Sequence, residues 1–471
     1  METYGWLSIL PPLLAIALAI RTKHVYISLI FGIWLGWTIM HSWNPIHGII
    51  QTVNSLISVF TDPDNTRVIL FSAMIGAIIT FTQYSGGMKG FVNWVVGKGH
   101  VRTRKKAGLL AWFLGFIIFI ESSICVLVSG AATRPIADKL KISREKLSYI
   151  LDSTSAPKCV LIPLNAWGAF VIRELGKQDV EHPIKYLLAS IPYNFYAIFA
   201  LLLVLFIILR EKDFGPMKKA EHRVRVENKL LRDGAEPLIS TEIVSMKAKK
   251  GIPPRALNMI LPVTTMVVTM PIALLISGKG NMMEGEGSVA VLWAVILGIV
   301  AGAIAYRVQG IMKVREITDI FMKGVGGLIP VAVLMMLAFS IGDTCKALGT
   351  GEFVARAAES TFHPGLIPAL VFIISCFIAF STGTSWGTFA IMIPIAVPMI
   401  NVIGLHPGLI IAAVLGGGVF GDHCSPISDT TIISSMAAAT DHIDHVKTQL
   451  PYAFLAAGIA LLLFLAVGFA L

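Results

Sequence analysis

Two polar segments interrupt long apolar stretches of the chain, and each contains an aspartate, hydroxyl residues and a proline. They are Asp152-Ser153-Thr154-Ser155-Ala156-Pro157 and Gly421-Asp422-His423-Cys424-Ser425-Pro426. A carboxylate inside a membrane costs about 3 kcal/mol on insertion scales unless it is paired or hydrated. Hydroxyls and the free carbonyls of a broken helix can surround Na⁺, and a proton can neutralise the same carboxylate. These patterns predict a cation- or proton-binding site. Its predicted members are Asp422, Asp152, Ser153, Thr154, Ser155, Ser425, Asp429 and His423.

Two more polar clusters lie inside apolar segments that are long enough to enter a membrane and return. The clusters are Glu121-Ser122-Ser123 within 107–138 and Ser381-Thr382-Gly383-Thr384-Ser385 within 364–401. At a hairpin tip one helix ends and another begins, so free carbonyls and N–H groups meet at mid-membrane depth. Hydroxyls there either cap helix ends or bind a hard cation. The predicted tip residues are Glu121, Ser122, Ser123, Thr382, Gly383, Thr384 and Ser385.

Three residues near the breaks are candidate charge partners, and they leave a second function open. They are Lys158, Arg134 and Asn165. An ion pair between Asp152 and Lys158 is the simple structural alternative to a cation site, although pairing across Pro157 requires the helix to unwind. If Lys158 or Arg134 instead attracts a carboxylate, the chain is a Na⁺- or H⁺-coupled carrier or exchanger. Its substrate would then be a small organic acid of the malate or lactate type, or an amino acid.

The composition indicates an all-α polytopic membrane protein. Of the 471 residues, 55% are hydrophobic and only 14% are charged, whereas soluble chains carry about 25% charged residues. The mean hydropathy is +0.76. These values exclude a soluble enzyme, a disordered scaffold and a nucleic-acid binder. No catalytic constellation appears, so we expect no enzyme activity, no cofactor and no transition metal; the expected partners are Na⁺, protons and the lipid bilayer.

Apolar runs long enough to cross a bilayer recur along the chain. Eight are typical of single spanning helices: 5–20, 25–41, 67–84, 185–210, 256–277, 288–307, 325–342 and 449–471. Segments 147–173 and 408–440 contain the aspartate breaks and are predicted to be broken spans. Basic residues flank both ends of 107–138, so the positive-inside rule makes this segment a re-entrant hairpin. The same rule places loops 211–255 and 441–448 in the cytoplasm and both termini on the extracytoplasmic side.

Similar landmarks occur in the same order in both parts of the chain and predict an internal repeat. Met74-Ile75-Gly76 resembles Ser340-Ile341-Gly342, and the Asp152 break resembles the Asp422 break. Each repeat would hold five spans and one hairpin, so the two would have opposite orientations. The predicted units are a first repeat at 1–210, a cytoplasmic linker at 211–255 that reads as a solvated connector, and a second repeat at 256–471. Inverted repeats with paired broken helices are typical of secondary transporters.

The motif from Gly421 to Thr431 closely resembles the NhaC-type Na⁺/H⁺ antiporter family. The likeness extends to 142–157, to Asn165-Ala166-Trp167-Gly168-Ala169 and to 381–387. It implies membership of the ion transporter superfamily, with a scaffold domain, a mobile transport domain, an elevator motion and homodimers. If the ammonium of Lys158 occupies one cation position, the ion stoichiometry of the relatives does not carry over to this chain.

These observations together predict a secondary active transporter. The leading interpretation is a Na⁺/H⁺ antiporter of the inner membrane that works by alternating access. In it, Asp422 and Asp152 exchange Na⁺ for protons, while hydroxyls and exposed carbonyls complete the coordination. The coupled carrier of an organic acid or amino acid remains the alternative, because fold and motif do not determine the substrate.

Overall fold

The protein is almost wholly helical in its described parts. The computed structural model describes residues 4–22, 24–96, 101–117, 122–163, 165–237, 248–249, 251–281, 285–426 and 428–471. In the first part of the chain the helices are α1 (Leu10–Thr22), α2 (Val25–Met40), α3 (Pro45–Ser58), α4 (Pro63–Tyr84), α5 (Gly87–Val96), α6 (Arg104–Ile117), α7 (Ser122–Lys139), α8 (Arg144–Ser153), α9 (Ala156–Cys159), α10 (Ala166–Lys177), α11 (Pro183–Ser190), α12 (Phe195–Arg210) and α13 (Gly215–Glu227). In the second part they are α14 (Leu257–Ser277), α15 (Gly287–Val308), α16 (Val314–Leu348), α17 (Thr350–Thr361), α18 (Ile367–Thr382), α19 (Ser385–Ile403), α20 (Pro407–Cys424), α21 (Asp429–Ala438) and α22 (His442–Ala470).

Several of these helices are long and apolar enough to cross a membrane. Among the described residues, seven meet this criterion of length and composition: α4, α14, α15, α16, α19, α20 and α22. An eighth is obtained if Pro183–Tyr193 and Phe195–Glu227, bent by 45°, form one span. Shorter apolar helices cover Gly5–Ala15, Tyr26–Met40 and Pro364–Phe380. The chain is therefore a multi-pass membrane protein.

The helices end within the breaks that the sequence predicts. Helix α8 ends at Ser153, and a second break separates α20, which ends at Cys424, from α21. Gly383 joins α18 to α19 with a φ of +69°, a left-handed conformation that glycine adopts without strain. Residues 118–121, between α6 and α7 in the sequence, lie outside the described residues. The inverted relation between the two halves, and the unit boundaries, stay predictions.

Helices α4 and α16 cross at very short distance. A methyl group added to Gly76 would collide with the backbone of Gly324, and one added to Gly324 would collide with the backbone of Gly76. The hydroxyl of Thr80 donates to the carbonyl of Ile320 at 3.0 Å. Small residues let membrane helices approach closely, where dispersion and interhelical hydrogen bonds hold them together. This crossing joins the first part of the chain to the second.

Part of the predicted linker is packed against the helical domain. Helix α13 buries Met217, Ala220, Glu221 and Val224. The Oε1 atom of Glu221 accepts a hydrogen bond from the backbone N–H of Ser143 at 2.8 Å, just before α8. The expectation of a solvated connector is therefore wrong for this segment, because the apolar stripe of α13 and its ion pairs hold it in place.

Candidate functional site

Glycines on α20 bring the second aspartate close to the second hairpin. Every residue of α20 from Gly408 to Cys424 is buried. A methyl group at Gly421 would collide with the backbone of Phe380 on α18, and one at Gly418 would meet the ring of Phe389 on α19. The glycine run therefore positions α20 against both arms of this hairpin.

Asp422 lies at the end of α20 and connects the hairpin to the start of α21. Its Oδ2 atom accepts a hydrogen bond from the hydroxyl of Ser385 at 2.7 Å. Its Oδ1 atom accepts one from the hydroxyl of Ser428 at 2.5 Å. Ser428 also caps α21 and lies 3.0 Å from the hydroxyl of Thr430. Asp422 is 1% exposed, so its carboxylate is buried among hydroxyl oxygens.

Asp152 lies at the end of α8 and faces α22. Its Oδ2 atom accepts a hydrogen bond from Nε2 of Gln449 at 2.7 Å. Nε2 of His445 lies 3.3 Å from the same oxygen, and Nε2 of His423 lies 4.0 Å from it. Asp152 and His445 are both fully buried. The environment of Asp152 is therefore one of imidazoles and an amide, whereas that of Asp422 is one of hydroxyls.

His423 connects the two breaks. One ring nitrogen, Nε2, lies 2.8 Å from the hydroxyl of Ser153, and the other, Nδ1, lies 2.7 Å from the hydroxyl of Tyr196. Its carbonyl accepts a hydrogen bond from Nε2 of Gln449, the amide that also binds Asp152. The two halves of the predicted site are thus brought together around one residue.

The remaining hydroxyls of the breaks serve mainly the helix ends. Thr154 donates to the carbonyl of Ile150 at 2.7 Å, and Ser155 donates to the carbonyl of Asp152 at 2.7 Å. Ser425 is buried just after α20. At the hairpin tips Ser122 and Thr384 are buried, and Thr384 precedes α19 as its N-cap. Glu121 and the side chains of Ser123, Thr382 and Asp429 lie outside the described residues.

Lys158 binds the first hairpin and not Asp152. Among the described side chains, its ammonium donates to the carbonyl of Gly115 near the end of α6 and lies 2.6 Å from Sγ of Cys125 on α7. The carbonyl end of a helix stabilises a positive charge. Lys158 is fully buried. The alternative of an Asp152–Lys158 ion pair is therefore wrong, because the chain between them turns the ammonium toward α6.

The other two candidate charge partners, Asn165 and Arg134, lie at a helix start and on a partly exposed helix face. Asn165 caps α10 by accepting from the N–H of Gly168 at 3.0 Å, and it donates to the carbonyl of Ile162 at 2.6 Å. Arg134 is partly exposed on α7, directly before Pro135. Asn165 thus has a capping role that follows from its position between α9 and α10.

The sequence interpretation missed several residues of the site. His445 and Gln449 lie four positions apart on one face of α22, a spacing that could have indicated them. We expected segment 441–448 to be a loop, but it forms the N-cap residue Asp441 and the first turns of α22. Glu174 of α10 is also fully buried, and neither of its carboxylate oxygens has a hydrogen-bond partner within the described part of the chain.

Comparison with known proteins agrees with this picture. A protein of Haemophilus influenzae, itself described only as uncharacterized, is 34% identical over 98% of this chain and 91% of its own length. A malate-2H⁺/Na⁺-lactate antiporter of Bacillus subtilis is 30% identical over 33% of each chain. The YdaH transporter of Alcanivorax borkumensis shares the fold with a TM-score of 0.57 at 14% identity, covering 90% of this chain and 89% of that one.

A family model gives the most direct assignment. The model of the Na⁺/H⁺ antiporter family matches residues 171–469, which include the second hairpin, the Asp422 break and α22. The family consists of transporters and not enzymes, as the sequence predicts. The resemblance at the Asp422 motif is therefore confirmed, and the chain belongs to the Na⁺/H⁺ antiporter family.

Proposed function

We propose that the protein exchanges Na⁺ for H⁺ across the inner membrane by alternating access. The observation that carries this proposal is the buried carboxylate of Asp422, both of whose oxygens are bound by hydroxyl groups, at 2.7 Å and 2.5 Å. Hydroxyls can rotate, so each can donate to the carboxylate or turn a lone pair toward a cation. Such a site is neutral when Na⁺ is bound, and a proton bound on the carboxylate or close to it balances the same charge.

Na⁺ is the transported substrate, and its ligands in this proposal are Asp422, Ser385 and Ser428. The carbonyl end of α20 adds negative potential to the same place, since the last turn of a helix leaves carbonyls without internal partners. Asp152 is the second carboxylate of the exchange. Because a bare carboxylate in a dry site is costly, the protein changes state most readily when these charges are neutralised.

The architecture of the proposal follows the inverted repeats predicted from the sequence. The hairpins and broken helices would form a mobile transport domain that moves past a scaffold containing the crossing of α4 and α16. Two copies would associate as a homodimer, with both termini on the extracytoplasmic side. This arrangement exposes the Asp422 site to each side of the membrane in turn.

Reconstituted protein tests the proposal. Proteoliposomes with an acidic lumen and a pH-sensitive dye should lose their pH gradient when Na⁺ is added, with no organic solute present. Asp422→Asn should abolish this signal, because an amide cannot neutralise Na⁺. The matched control is Asp319→Asn, which changes an exposed carboxylate of α16 and should leave transport intact. An unchanged signal in Asp422→Asn would show that the site is elsewhere.

Coupled transport of an organic acid or amino acid is the second candidate. It is favoured by the likeness to the malate-2H⁺/Na⁺-lactate antiporter over 33% of the chain. The same liposomes distinguish the two functions. A dye response that requires added malate, lactate or an amino acid would support the carrier and contradict simple Na⁺/H⁺ exchange.

A further inference from the structure

The cluster around Asp152 contains an unusual number of buried polar atoms without partners. Oδ1 of Asp152, Nδ1 of His445 and Oε1 of Gln449 have no hydrogen-bond partner among the described residues. All three side chains are at most 1% exposed. Buried polar atoms are bonded in the great majority of cases, and leaving one unsatisfied costs about 1–3 kcal/mol. Three such atoms in one hydrogen-bonded group of residues therefore need an explanation.

All three atoms are hydrogen-bond acceptors. The amide nitrogen of Gln449 already donates to Asp152 and to the carbonyl of His423, which leaves its oxygen as an acceptor. Nε2 of His445 faces the carboxylate of Asp152 at 3.3 Å and is its natural donor. The other nitrogen of a neutral imidazole is then an acceptor. The cluster consequently lacks donors, and a proton added at the free ring nitrogen of His445 would give the imidazole a positive charge that balances the carboxylate of Asp152.

The Asp422 site differs in this respect. Both of its carboxylate oxygens accept from hydroxyls, whose lone pairs suit a hard cation. The Asp152 cluster offers imidazoles, which bind protons in the physiological range and suit Na⁺ poorly. The surroundings of Asp422 therefore suit Na⁺, whereas those of Asp152 suit a proton.

The cluster lies close to one end of its helices. Asp152 is eight residues into α8 and His445 three residues into α22, so at 1.5 Å per residue they lie about 12 Å and about 5 Å from the helix starts. The sequence predicts both starts to be cytoplasmic. Protons would thus have a short route to the cluster from that side.

Other titratable groups surround the cluster. Within the described chain they include His423 and Cys424 on α20, Tyr196 on α12, Tyr149 on α8 and Tyr452 on α22. Nearer the helix starts lie Arg104 on α6, Glu145 and Lys146 on α8, and Asp213, Glu221 and Arg223 at α13. Arg144 binds Asp138 at the end of α7. The charged groups named here are thus paired among themselves, and of the two imidazoles at Asp152 that of His445 is the nearer, at 3.3 Å against 4.0 Å.

We propose that His445 is the proton acceptor of a second site, distinct from the Na⁺ site, with Asp152 as its counter-charge and Gln449 as a positioning residue. The proton adds to the imidazole and leaves from it, and no other bond changes. Gln449 and His423 connect this site to Asp422, which directly precedes His423. The positive charge on protonated His445 therefore disfavours Na⁺ binding at Asp422. This proposal rests on the proposed function of Na⁺/H⁺ exchange.

Na⁺ binding to the purified full-length protein tests the two-site arrangement. The affinity is measured with radioactive Na⁺ from about pH 6 to about pH 9, and the native protein should bind Na⁺ more tightly as the pH rises. His445→Gln should bind Na⁺ within about twofold of the native affinity at the alkaline end and lose the pH dependence. Ser385→Ala should bind Na⁺ more weakly at every pH and retain the pH dependence.

Further variants keep the test decisive. In Asp152→Asn the imidazole loses its counter-charge, so the midpoint of the pH dependence should move to lower pH. His222→Gln changes an exposed histidine of α13 and should behave as the native protein, and thermal unfolding checks that each variant is folded. Full pH dependence in His445→Gln would overturn the second site, since the proton would then compete at Asp422 itself. Absence of Na⁺ binding in the native protein would instead contradict the proposed function.

Discussion

The two halves of the chain tie their broken helix to their hairpin with groups of opposite charge. In the first half the ammonium of Lys158 donates to the carbonyl of Gly115 and contacts Cys125, so a positive charge joins both arms of the hairpin. In the second half the carboxylate of Asp422 accepts from the hydroxyl of Ser385. The first junction contains a lysine ammonium, whereas Na⁺ would supply the cation of the second in the proposed function.

This difference explains why the two aspartates have different surroundings. With an ammonium already at the first hairpin, Na⁺ has no electrostatic reason to bind there, and Asp152 turns to α22 and its imidazole. Both carboxylate oxygens of Asp422 accept hydrogen bonds from hydroxyl groups. In the proposed function we therefore expect the exchangeable Na⁺ at Asp422.

Of the substitutions that test this difference between the halves, replacement of Lys158 should have the largest effect on transport. Lys158→Met removes the donor of a buried carbonyl and the link between α9 and the hairpin, a loss of about 1–3 kcal/mol of stability. We expect Na⁺-driven proton movement in proteoliposomes to fall by more than about tenfold. Lys185→Met, at an exposed position of α11, is the control. Native-like transport and stability in Lys158→Met would show that the ammonium has no part in the site.

The Na⁺ dependence of the native protein tests the same comparison without a mutation. If the first half holds only the fixed ammonium, initial rates should follow Na⁺ concentration with a Hill coefficient of about one. A coefficient of about two would mean that Na⁺ binds in both halves, and the contrast between them would fail.

Removing the hydroxyls around Asp422 should weaken Na⁺ binding by an intermediate amount. Ser385→Ala and Ser428→Ala each delete a hydrogen bond to a charged group, worth about 1.5–3 kcal/mol, so the Na⁺ affinity should fall by about tenfold or more. The measurement is the Na⁺ concentration at half-maximal dye response. Ser360→Ala, on an exposed position of α17, should have no effect, and equal affinities in all three variants would remove these hydroxyls from the Na⁺ shell.

The sequence predicts the breaks well because polar clusters are conspicuous in apolar stretches. Asp152, Asp422 and Ser385 are recognisable for this reason. The sequence does not predict which side chains contact each other across the fold. Lys158 pairs with a carbonyl 43 residues away, and no local pattern distinguishes that contact from a pair with Asp152. His445 was missed because charged neighbours made the first turns of α22 resemble a loop.

The crossing that joins the halves should tolerate substitutions unequally. Gly324→Ala places a methyl group against the backbone of Gly76, whereas Gly326→Ala on the same helix meets nothing within 4 Å. Overpacking costs about 1–3 kcal/mol, so Gly324→Ala should lower the unfolding temperature in detergent by a few degrees. Gly326→Ala should leave it unchanged or raise it, since alanine favours the helix. Equal effects at both positions would mean that the crossing is looser than described.

The smallest effect is expected at Asp441, which caps α22 four residues before His445 of the Asp152 cluster. Partial burial raises the pKa of Asp441, but hydrogen bonds from the N–H groups of Glu236 and Asp444 and the charge of Arg232 lower it more, so the pKa lies below its ordinary value of 3.8. The carboxylate's contribution to stability is therefore present above that value and is lost only as the pH falls through the lowered pKa. Between about pH 6 and about pH 9 Asp441 stays ionised, and it cannot produce a pH dependence of transport.

Asp441→Asn should accordingly change stability and not pH dependence. Asparagine caps a helix about as well as aspartate, so the unfolding temperature should fall by no more than about 2 °C. The Na⁺ affinity should follow the native pH profile, in contrast to Asp152→Asn on the other side of His445. If both aspartate variants moved the midpoint equally, the pH dependence would arise from the general charge at the start of α22. If only Asp152→Asn moves the midpoint, the effect requires a carboxylate in direct contact with the imidazole of His445. This contact then distinguishes the Asp152 half of the site from the Asp422 half.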